Sequence, residues 1–272
     1  MINFGALEAR LPELREAFRN AVPFEHLIID DFADADRLRG ALKIVERAAL
    51  QDLGARNDNL FQKNKYENPR FFELCDEFRE LHEDLLSPRF QTILREITGD
   101  EVFIDPDHHG GGLHLGVKAS KLDMHSDFSH HPKHPTWFRN LNVLLYLNDD
   151  WQPEYGGELQ IRDDRTQEQM SIPPLFNRLL MMQTRSYTIH GHGMTNFPDG
   201  KYRTSIAAYA YDLRESDRIS STTWYPEGNP IKRAIGRNWT ALVRIKTRLF
   251  GSRTDKLQSL RVAKAEQSED GD

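Results

Sequence analysis

The sequence predicts an α+β protein in which helices come first and short strands follow. Through the first hundred residues, apolar side chains recur every three or four positions, as at Leu7, Leu11 and Leu14, which is the period of an amphipathic helix. From about residue 101, short apolar or alternating runs are separated by Gly, Pro and Asn, which predicts strands joined by turns. Helices followed by many short strands favour a β-sandwich or barrel, with the helices packed on one face of its sheet.

The N-terminal region, residues 1–100, is predicted to be a mostly helical support for the strands. Asp34 is a predicted N-cap and Gly99 a predicted helix stop. The apolar stripes of the helices need a surface to cover, and the strands would provide it. Helices are predicted over residues 6–21, 34–49, 69–84 and 87–98, with a short strand over 23–30 and a polar loop over 50–66.

The strand-rich core is predicted over residues 101–215, and we expect it to form one structural domain with the rest of the chain. Within segment 139–148, the face that carries Asn142 and Tyr146 has both polar and apolar side chains, and the opposite face is aliphatic. The aliphatic face is expected to pack on the helices, and the mixed face to line a barrel interior. Strands are predicted over residues 102–104, 113–117, the segment that carries His125, 139–148, 156–161, 170–172, 178–183 and 202–211.

Charge is distributed unevenly along the chain. Residues 230–272 carry ten Lys/Arg and five Asp/Glu, a net of +5, which leaves −11 on residues 1–229 within the total of −6. The C-terminal extension, residues 216–272, is predicted to hold a basic amphipathic helix over about 231–249 and a disordered acidic end. We expect this helix to dock on the acidic body. Contact with an acidic partner, a membrane surface or nucleic acid is the alternative, although the chain carries no clear nucleic-acid motif.

Composition argues against several classes of protein. The chain has no apolar run of about 18 residues, so no membrane span is predicted, and its N-terminus does not resemble a secretory signal. Cys75 is the only cysteine, so no internal disulfide can form, which fits a reducing compartment. We therefore expect a cytoplasmic protein in which Cys75 is a structural thiol.

The stretch Leu122-Asp-Met-His-Ser-Asp-Phe128 carries the first candidate metal ligands. His125 and Asp127 are one residue apart, so in an extended strand their side chains point to the same face. An imidazole nitrogen and a carboxylate oxygen on one face supply two of the three ligands of the 2-His-1-carboxylate triad, which binds non-haem Fe(II). His190 and His192 are candidates for the third ligand, and spacing alone does not choose between them.

The last predicted strand carries Arg203 and Ser205 on one face. An arginine that points into a barrel is unfavourable unless it meets an anion, and its planar guanidinium suits a carboxylate. The alternative is that Arg203 lies at the mouth of the strand and pairs with a nearby acidic side chain.

These elements, in this order, resemble the Fe(II)/2-oxoglutarate-dependent dioxygenase superfamily, and in particular its prolyl-4-hydroxylase-like branch. The resemblance covers about residues 110–212. A lone His-x-Asp is a weak signal, whereas the ordered set is a specific one. The stretches that carry it are Gly110-Gly-Gly-Leu-His114, His125-Ser-Asp-Phe128, Arg139-Asn-Leu-Asn-Val-Leu-Leu-Tyr-Leu-Asn148 with Trp151, Gly156-Gly-Glu-Leu159, Asn177-Arg-Leu179, His190-Gly-His192 and Arg203-Thr-Ser205 before Tyr209 and Tyr211.

The resemblance implies a double-stranded β-helix, a form of jelly roll, supported by the N-terminal helices. It favours His190 over His192 as the distal metal ligand. The cofactors implied are Fe(II), the co-substrate 2-oxoglutarate and dioxygen, with ascorbate as a further reductant.

The resemblance also implies how the co-substrate is held. Arg203 would bind the far carboxylate of 2-oxoglutarate, although many members of this branch have lysine at that position. Tyr146 would donate its hydroxyl to the same molecule, with Ser205 beside it.

The activity implied is hydroxylation of an unactivated C–H bond, coupled to oxidative decarboxylation of 2-oxoglutarate to succinate. The substrate would be a peptidyl proline, an amino acid, a sugar or another small molecule. Related halogenases replace the carboxylate ligand by a small residue, so Asp127 favours hydroxylation. His114, His130 and Asn142 are expected to line the substrate pocket.

Two other functions are compatible with the same residues. One is a metal-dependent enzyme of another class on the same His/Asp/His ligands, which would not need Arg203. The other is a non-catalytic jelly roll that binds a sugar or a protein.

Overall fold

One curled antiparallel sheet organises the protein, and the helices cover one of its faces. The computed structural model describes residues 1–214, 219–226 and 230–237. The helices are α1 (Phe4–Ala9), α2 (Leu11–Arg19), α3 (Ala35–Arg47), α4 (Leu50–Leu53), α5 (Asp76–Leu86), α6 (Pro88–Thr98) and α7 (Pro230–Arg237). The strands are β1 (His26–Ile29), β2 (Ala55–Arg56), β3 (Gln62–Asn68), β4 (Phe103–Ile104), β5 (Gly112–Ser126), β6 (Trp137–Tyr146), β7 (Leu159–Asp163), β8 (Gln169–Ile172), β9 (Arg178–Gln183), β10 (Thr188–His192), β11 (Arg203–Leu213) and β12 (Thr223–Trp224).

The long strand β5 is the centre of the sheet. The main path runs β1-β9-β6-β11-β5-β10-β7-β8. Residues 112–116 of β5 pair with β11, and the end near residues 122–125 pairs with β10. Strands β3 and β12 also pair with β5. One strand thus connects both halves of the sheet.

The helices pack on the aliphatic face of β6, β9 and β11. Leu141, Val143 and Leu145 of β6 lie in one buried cluster with helical residues such as Leu38 and Phe78. Tyr146 of β6 belongs to a second cluster on the other side of the sheet. This confirms the predicted division of the segment into a helix-facing and an interior face, and it leaves the interior face free to carry polar groups.

The structure confirms two helix ends that were predicted from the local sequence, at Asp34 and Gly99. The side chain of Asp34 accepts hydrogen bonds from the backbone N–H groups of Asp36 and Arg37 at 3.1 Å, as an N-cap does. Gly99 follows α6 with φ of 82°, the left-handed conformation of a C-cap.

The structure corrects several predicted boundaries. The helix predicted over 6–21 is two helices that meet at Arg10, with a proline in the first turn of the second. The helix predicted over 69–84 is a short 3-10 turn followed by α5. The two strands predicted around 113–117 and His125 are one continuous strand, β5, of 15 residues.

The largest correction concerns residues 50–66, which were predicted to be a loop. They contain α4, β2 and most of β3, and β3 pairs with β5. The sequence of β3 shows no apolar alternation, because almost all of its side chains are partly or fully exposed. Pairing with β5, rather than burial of an apolar face, is therefore what makes this segment a strand.

The described C-terminal part is short. Helix α7 is the beginning of the predicted basic helix, and the rest of that prediction, with the acidic end, lies outside the described residues. Among the residues that the structure describes, none of the helices has the length and apolar character needed to cross a membrane.

Asn177 offers a test of how the helical region is joined to the sheet. Its side chain donates to the carbonyl of Ala33 at 2.7 Å and accepts from the Ala33 N–H at 2.9 Å, and both residues are buried. We predict that Asn177→Ala lowers the free energy of unfolding by roughly 2–4 kcal/mol, because two buried backbone groups lose their partner. Urea unfolding measures this. The exposed control Gln51→Ala should change stability by less than about 0.5 kcal/mol, and an equally small effect at Asn177 would contradict the prediction.

Candidate metal centre

Three side chains that can bind a metal converge on the interior face of the sheet. His125 lies near the end of β5, Asp127 follows that strand, and His190 lies in β10 directly opposite His125. Nε2 of His125 is 3.5 Å from Oδ1 of Asp127, and Nε2 of His190 is 3.6 Å from Oδ2. The possible ligand atoms all lie within 4.8 Å of one another, and no other trio of this kind occurs in the described ranges. The cluster matches the donor set of a facial triad.

Strand register decides which of the two downstream histidines joins the cluster. His190 pairs with His125, whereas a bulge separates it from His192, which pairs with Leu122. The ring of His192 instead makes a 2.9 Å hydrogen bond with the carbonyl of Gly193. Gly191 allows the close approach of β10 to β5, since a Cβ there would lie 2.7 Å from the carbonyl oxygen of Leu122.

The hydrogen bonds of His125 and Asp127 leave one possible ligand atom free on each side chain. Nδ1 of His125 lies 3.0 Å from the backbone carbonyl of Asp123, which accepts its proton and turns Nε2 toward the cluster. Oδ2 of Asp127 accepts from Nδ2 of Asn142 at 2.8 Å and lies 3.0 Å from Nη2 of Arg139. Oδ1 of Asp127 is left for a metal.

Arg139 is a functional residue that sequence analysis did not single out. It is 2% exposed, its guanidinium lies 3.4 Å from the ring centroid of Tyr209 and 4.7 Å from that of Phe128, and it donates twice to Oδ1 of Asn142. Burial by itself would raise the pKa of Asp127, but the Arg139 guanidinium beside it holds that pKa well below the usual range. The carboxylate is thus ionised and fixed before any metal arrives.

Burial has the opposite effect on the histidine ligand from β10. It lowers the pKa of His190 to about 3, and the neighbouring His125 ring acts in the same direction. His190 is therefore neutral near pH 7, which is the form that binds a metal.

A second group of polar atoms lies at the inner end of the same cavity. Arg203 donates through Nε to the carbonyl of Gly157 at 2.6 Å, and its Nη2 is buried without a hydrogen-bond partner among the residues that the structure describes. The hydroxyl of Tyr146 is also buried without a partner, and the guanidinium carbon lies 5.2 Å from the Tyr146 ring centroid. Ser205 pairs with Tyr146 across β11 and β6. Buried donors without partners are rare, so these two indicate an anionic ligand that reaches them.

The cavity that joins the two groups has a volume of about 290 Å³. His114 and Asn142, both predicted to line a pocket, lie in its wall. His130 does not, which corrects the prediction: a bridge to Phe138 turns it aside, and its Nδ1 bonds the Ser129 hydroxyl at 2.8 Å. The lining residues that sequence analysis did not identify include Asn59, Gln62, Lys65, Glu67, Arg139 and Trp224.

The comparisons with known proteins agree with this geometry. Residues 110–211 match the family model described as the 2OG-Fe(II) oxygenase superfamily. This part of the chain is a 2OG-Fe(II) oxygenase domain. A search of curated proteins found no match.

Solved structures of this superfamily share the fold. A prolyl 4-hydroxylase from Phytophthora capsici is 16% identical with a TM-score of 0.54, and the match covers 78% of this chain and 66% of that one. A Trichoplax adhaerens prolyl hydroxylase, solved with a hypoxia inducible factor peptide fragment, is 14% identical with a TM-score of 0.53, and the match covers 85% of this chain and 94% of that one. A Pseudomonas putida prolyl-4-hydroxylase is 15% identical with a TM-score of 0.50, and the match covers 76% of this chain and 100% of that one. At such low identity the likeness shows the fold, and the predicted jelly roll of the oxygenase domain is confirmed.

An ion pair on β3 lines the cavity that joins the three-ligand cluster to Arg203 and Tyr146. Nζ of Lys65 is 2.6 Å from Oε1 of Glu67, and Nδ2 of Asn57 donates to the other carboxylate oxygen at 2.7 Å. Burial works to raise the pKa of Glu67, but the charge of Lys65 and these hydrogen bonds outweigh it and lower that pKa to about 2. The pair therefore stabilises the folded state at neutral pH.

The pH dependence of stability tests this pair. The folded-state pKa of Glu67, about 2, lies below its ordinary value of 4.5. The contribution of Glu67 to the free energy of unfolding is therefore complete above pH 4.5 and is lost as the pH falls toward 2. The pKa shift corresponds to roughly 3 kcal/mol. We predict that Lys65→Met destabilises the protein at pH 7 and that the difference from wild type narrows by pH 3. Urea midpoints at the two pH values measure this, with the exposed Lys43→Met as control. A difference that stays constant between the two pH values would show that Glu67 does not carry the effect.

Proposed function

We propose that this protein is an Fe(II)- and 2-oxoglutarate-dependent oxygenase that hydroxylates an unactivated C–H bond of a polar substrate. One observation carries the proposal: a single cavity joins a three-ligand cluster to two buried donors that have no partner in the part of the chain that the structure describes. The cluster requires a metal, and the donors require an anion. A chelating dicarboxylate such as 2-oxoglutarate satisfies both at once.

The residues of the cluster would hold the metal on one face and leave its other side open to the cavity. His125 and His190 would each supply Nε2, and Asp127 would supply Oδ1. When bound, Fe(II) with 2-oxoglutarate and dioxygen provides the oxidising power that breaks an unactivated C–H bond. The chain itself holds the ion, orients the organic ligands and excludes water.

Arg203 and Tyr146 would anchor the end of 2-oxoglutarate that does not touch the metal. The carbonyl of Gly157 fixes the Arg203 guanidinium by accepting from Nε, which leaves Nη2 for a carboxylate. The Tyr146 hydroxyl supplies a second donor. Together they would set the distance between the anchored carboxylate and the metal.

The carboxylate of Asp127 supports hydroxylation over halogenation. It fills a third ligand position that a halide would otherwise need, and Arg139 and Asn142 hold it there.

The lining supports a substrate that forms hydrogen bonds. Amide, ammonium, carboxylate and indole groups line the cavity, from Asn59, Gln62, Lys65, Glu67 and Trp224. A small polar molecule or a peptide segment would fit such a lining better than a purely apolar molecule. We propose no external partner for α7, because its Lys232 forms an ion pair with Asp123 of the same chain. The predicted cytoplasmic location stays a prediction.

Two variants test the two halves of the site separately. We predict that Asp127→Ala abolishes iron-dependent formation of succinate from 2-oxoglutarate, because the metal would lose the one anionic ligand of the three-residue cluster. We predict that Arg203→Ala still binds the metal but binds 2-oxoglutarate roughly 10- to 100-fold more weakly. This is the effect of one lost hydrogen bond to a charged group. Succinate release and calorimetric titration measure these results.

The exposed variant Arg10→Ala is the matched control and should behave as wild type. Unchanged affinity of Arg203→Ala for 2-oxoglutarate would contradict the assigned role of Arg203 as the anchor. Wild-type protein that binds the metal but not 2-oxoglutarate would favour a metal enzyme of another class. If wild-type protein with Fe(II), 2-oxoglutarate and a panel of polar candidate substrates forms no succinate at all, the non-catalytic alternative is favoured.

A further inference from the structure

A segment that follows the oxygenase domain runs along the strand that carries His125. We call residues 219–226 and 230–237 the C-terminal strap. Thr223 and Trp224 form β12, which pairs with Ser126 and His125 of β5. The N–H of Tyr225 donates to the carbonyl of Met124 at 2.7 Å. The strap thus lies beside the metal ligand, outside the residues that match the family.

The ring of Trp224 packs directly against the imidazole of His125. It stacks on His125, with ring centroids 4.7 Å apart and planes 30° apart. On its other side it stacks on Phe61 at 4.8 Å and 11°. Trp224 is 7% exposed and lines the cavity, and its indole N–H has no hydrogen-bond partner among the described residues. The ring therefore supports the imidazole from within the wall of the cavity.

Helix α7 of the strap reaches His125 by two routes. Lys232 forms an ion pair with the buried side chain of Asp123, whose backbone carbonyl accepts from Nδ1 of His125. Gly236 packs against the backbone of Trp224 so closely that a Cβ there would lie 2.8 Å from the Trp224 carbonyl oxygen. Both routes end on the imidazole of His125.

We infer that the C-terminal strap positions His125 for the metal, with Trp224 as the positioning residue, so that metal binding and docking of the strap stabilise each other. The inference rests on the proposed metal site. Binding free energies are reciprocal: if the docked strap raises metal affinity by a factor, the metal favours the docked strap by the same factor. The coupling between metal binding and strap docking can therefore be measured without enzyme turnover.

Co(II) alone, added to the full-length protein, is the probe. We expect Co(II) to slow hydrogen exchange of the Tyr225 amide in wild type. We expect Trp224→Ala to bind Co(II) roughly 2- to 12-fold more weakly, the range for the loss of one aromatic pair. Trp224→Phe keeps a ring at this place and should lose less.

A second variant tests the strap without touching the side chain of Trp224. Gly236→Ala should displace α7, because its new methyl group would collide with the backbone of Trp224. We therefore expect Gly236→Ala to lower the affinity for Co(II), as Trp224→Ala does. Gly5→Ala is the matched control, since a Cβ there meets nothing within 4 Å. Thermal unfolding of each variant separates a local effect from loss of the fold.

Each outcome bears on the inference. Weaker Co(II) binding by folded Trp224→Ala and Gly236→Ala, with slowed exchange in wild type, supports it. Wild-type affinity in both variants, with no change in exchange at Tyr225, overturns it and leaves the proposed function standing. Failure of wild-type protein to bind Co(II) overturns both.

Discussion

The antiparallel pairing of β5 with β10 is the constraint on which the site depends. It sets His190 opposite His125 and places both imidazoles on the interior face, although 65 positions separate them in the chain. The approach requires Gly191, because a side chain there would collide with the backbone of β5. Asp127 completes the cluster from just beyond the end of the same strand. Strand register therefore holds the two histidines together, and Asp127 joins them from the residue that follows β5.

Contact between opposite charges stabilises the polar groups of the interior. Asp127 and Arg139 are both buried, and each would be unfavourable alone. Their contact, the hydrogen bonds of Asn142 and the rings of Phe128 and Tyr209 make the pair tolerable in the folded protein. At the other end of the cavity, Arg203 has no acidic partner of this kind in the described residues, which is why we assign its counter-charge to the co-substrate.

Local patterns allowed much of this architecture to be predicted. The helices carry regular apolar stripes, and β6 separates an aliphatic from a mixed face, so burial could be predicted from periodicity. His125 and Asp127 could be found because alternate residues of a strand share a face. The preference for His190 came from resemblance, and the structure gives the physical reason in the bulge beside His192.

Other parts of the site lacked a local signal. Strand β3 has a polar sequence that matches neither period, so Lys65 falls in the predicted loop over 50–66 and Glu67 lies just beyond it. Trp224 lies about a hundred positions from His125, and only long-range pairing brings the two together. His130 stands close to the ligands in sequence, but its bridge to Phe138 follows from how the intervening turn folds, which the residue pattern does not reveal.

The most direct test of the account is a crystal structure of protein loaded with Co(II) and 2-oxoglutarate, with diffraction data collected at the cobalt absorption edge. The account predicts one strong anomalous peak bound by Nε2 of His125, Oδ1 of Asp127 and Nε2 of His190. It also predicts that the far carboxylate of 2-oxoglutarate lies on Arg203 and Tyr146. A peak bound by His192 in place of His190, or a co-substrate turned away from Arg203, would contradict it.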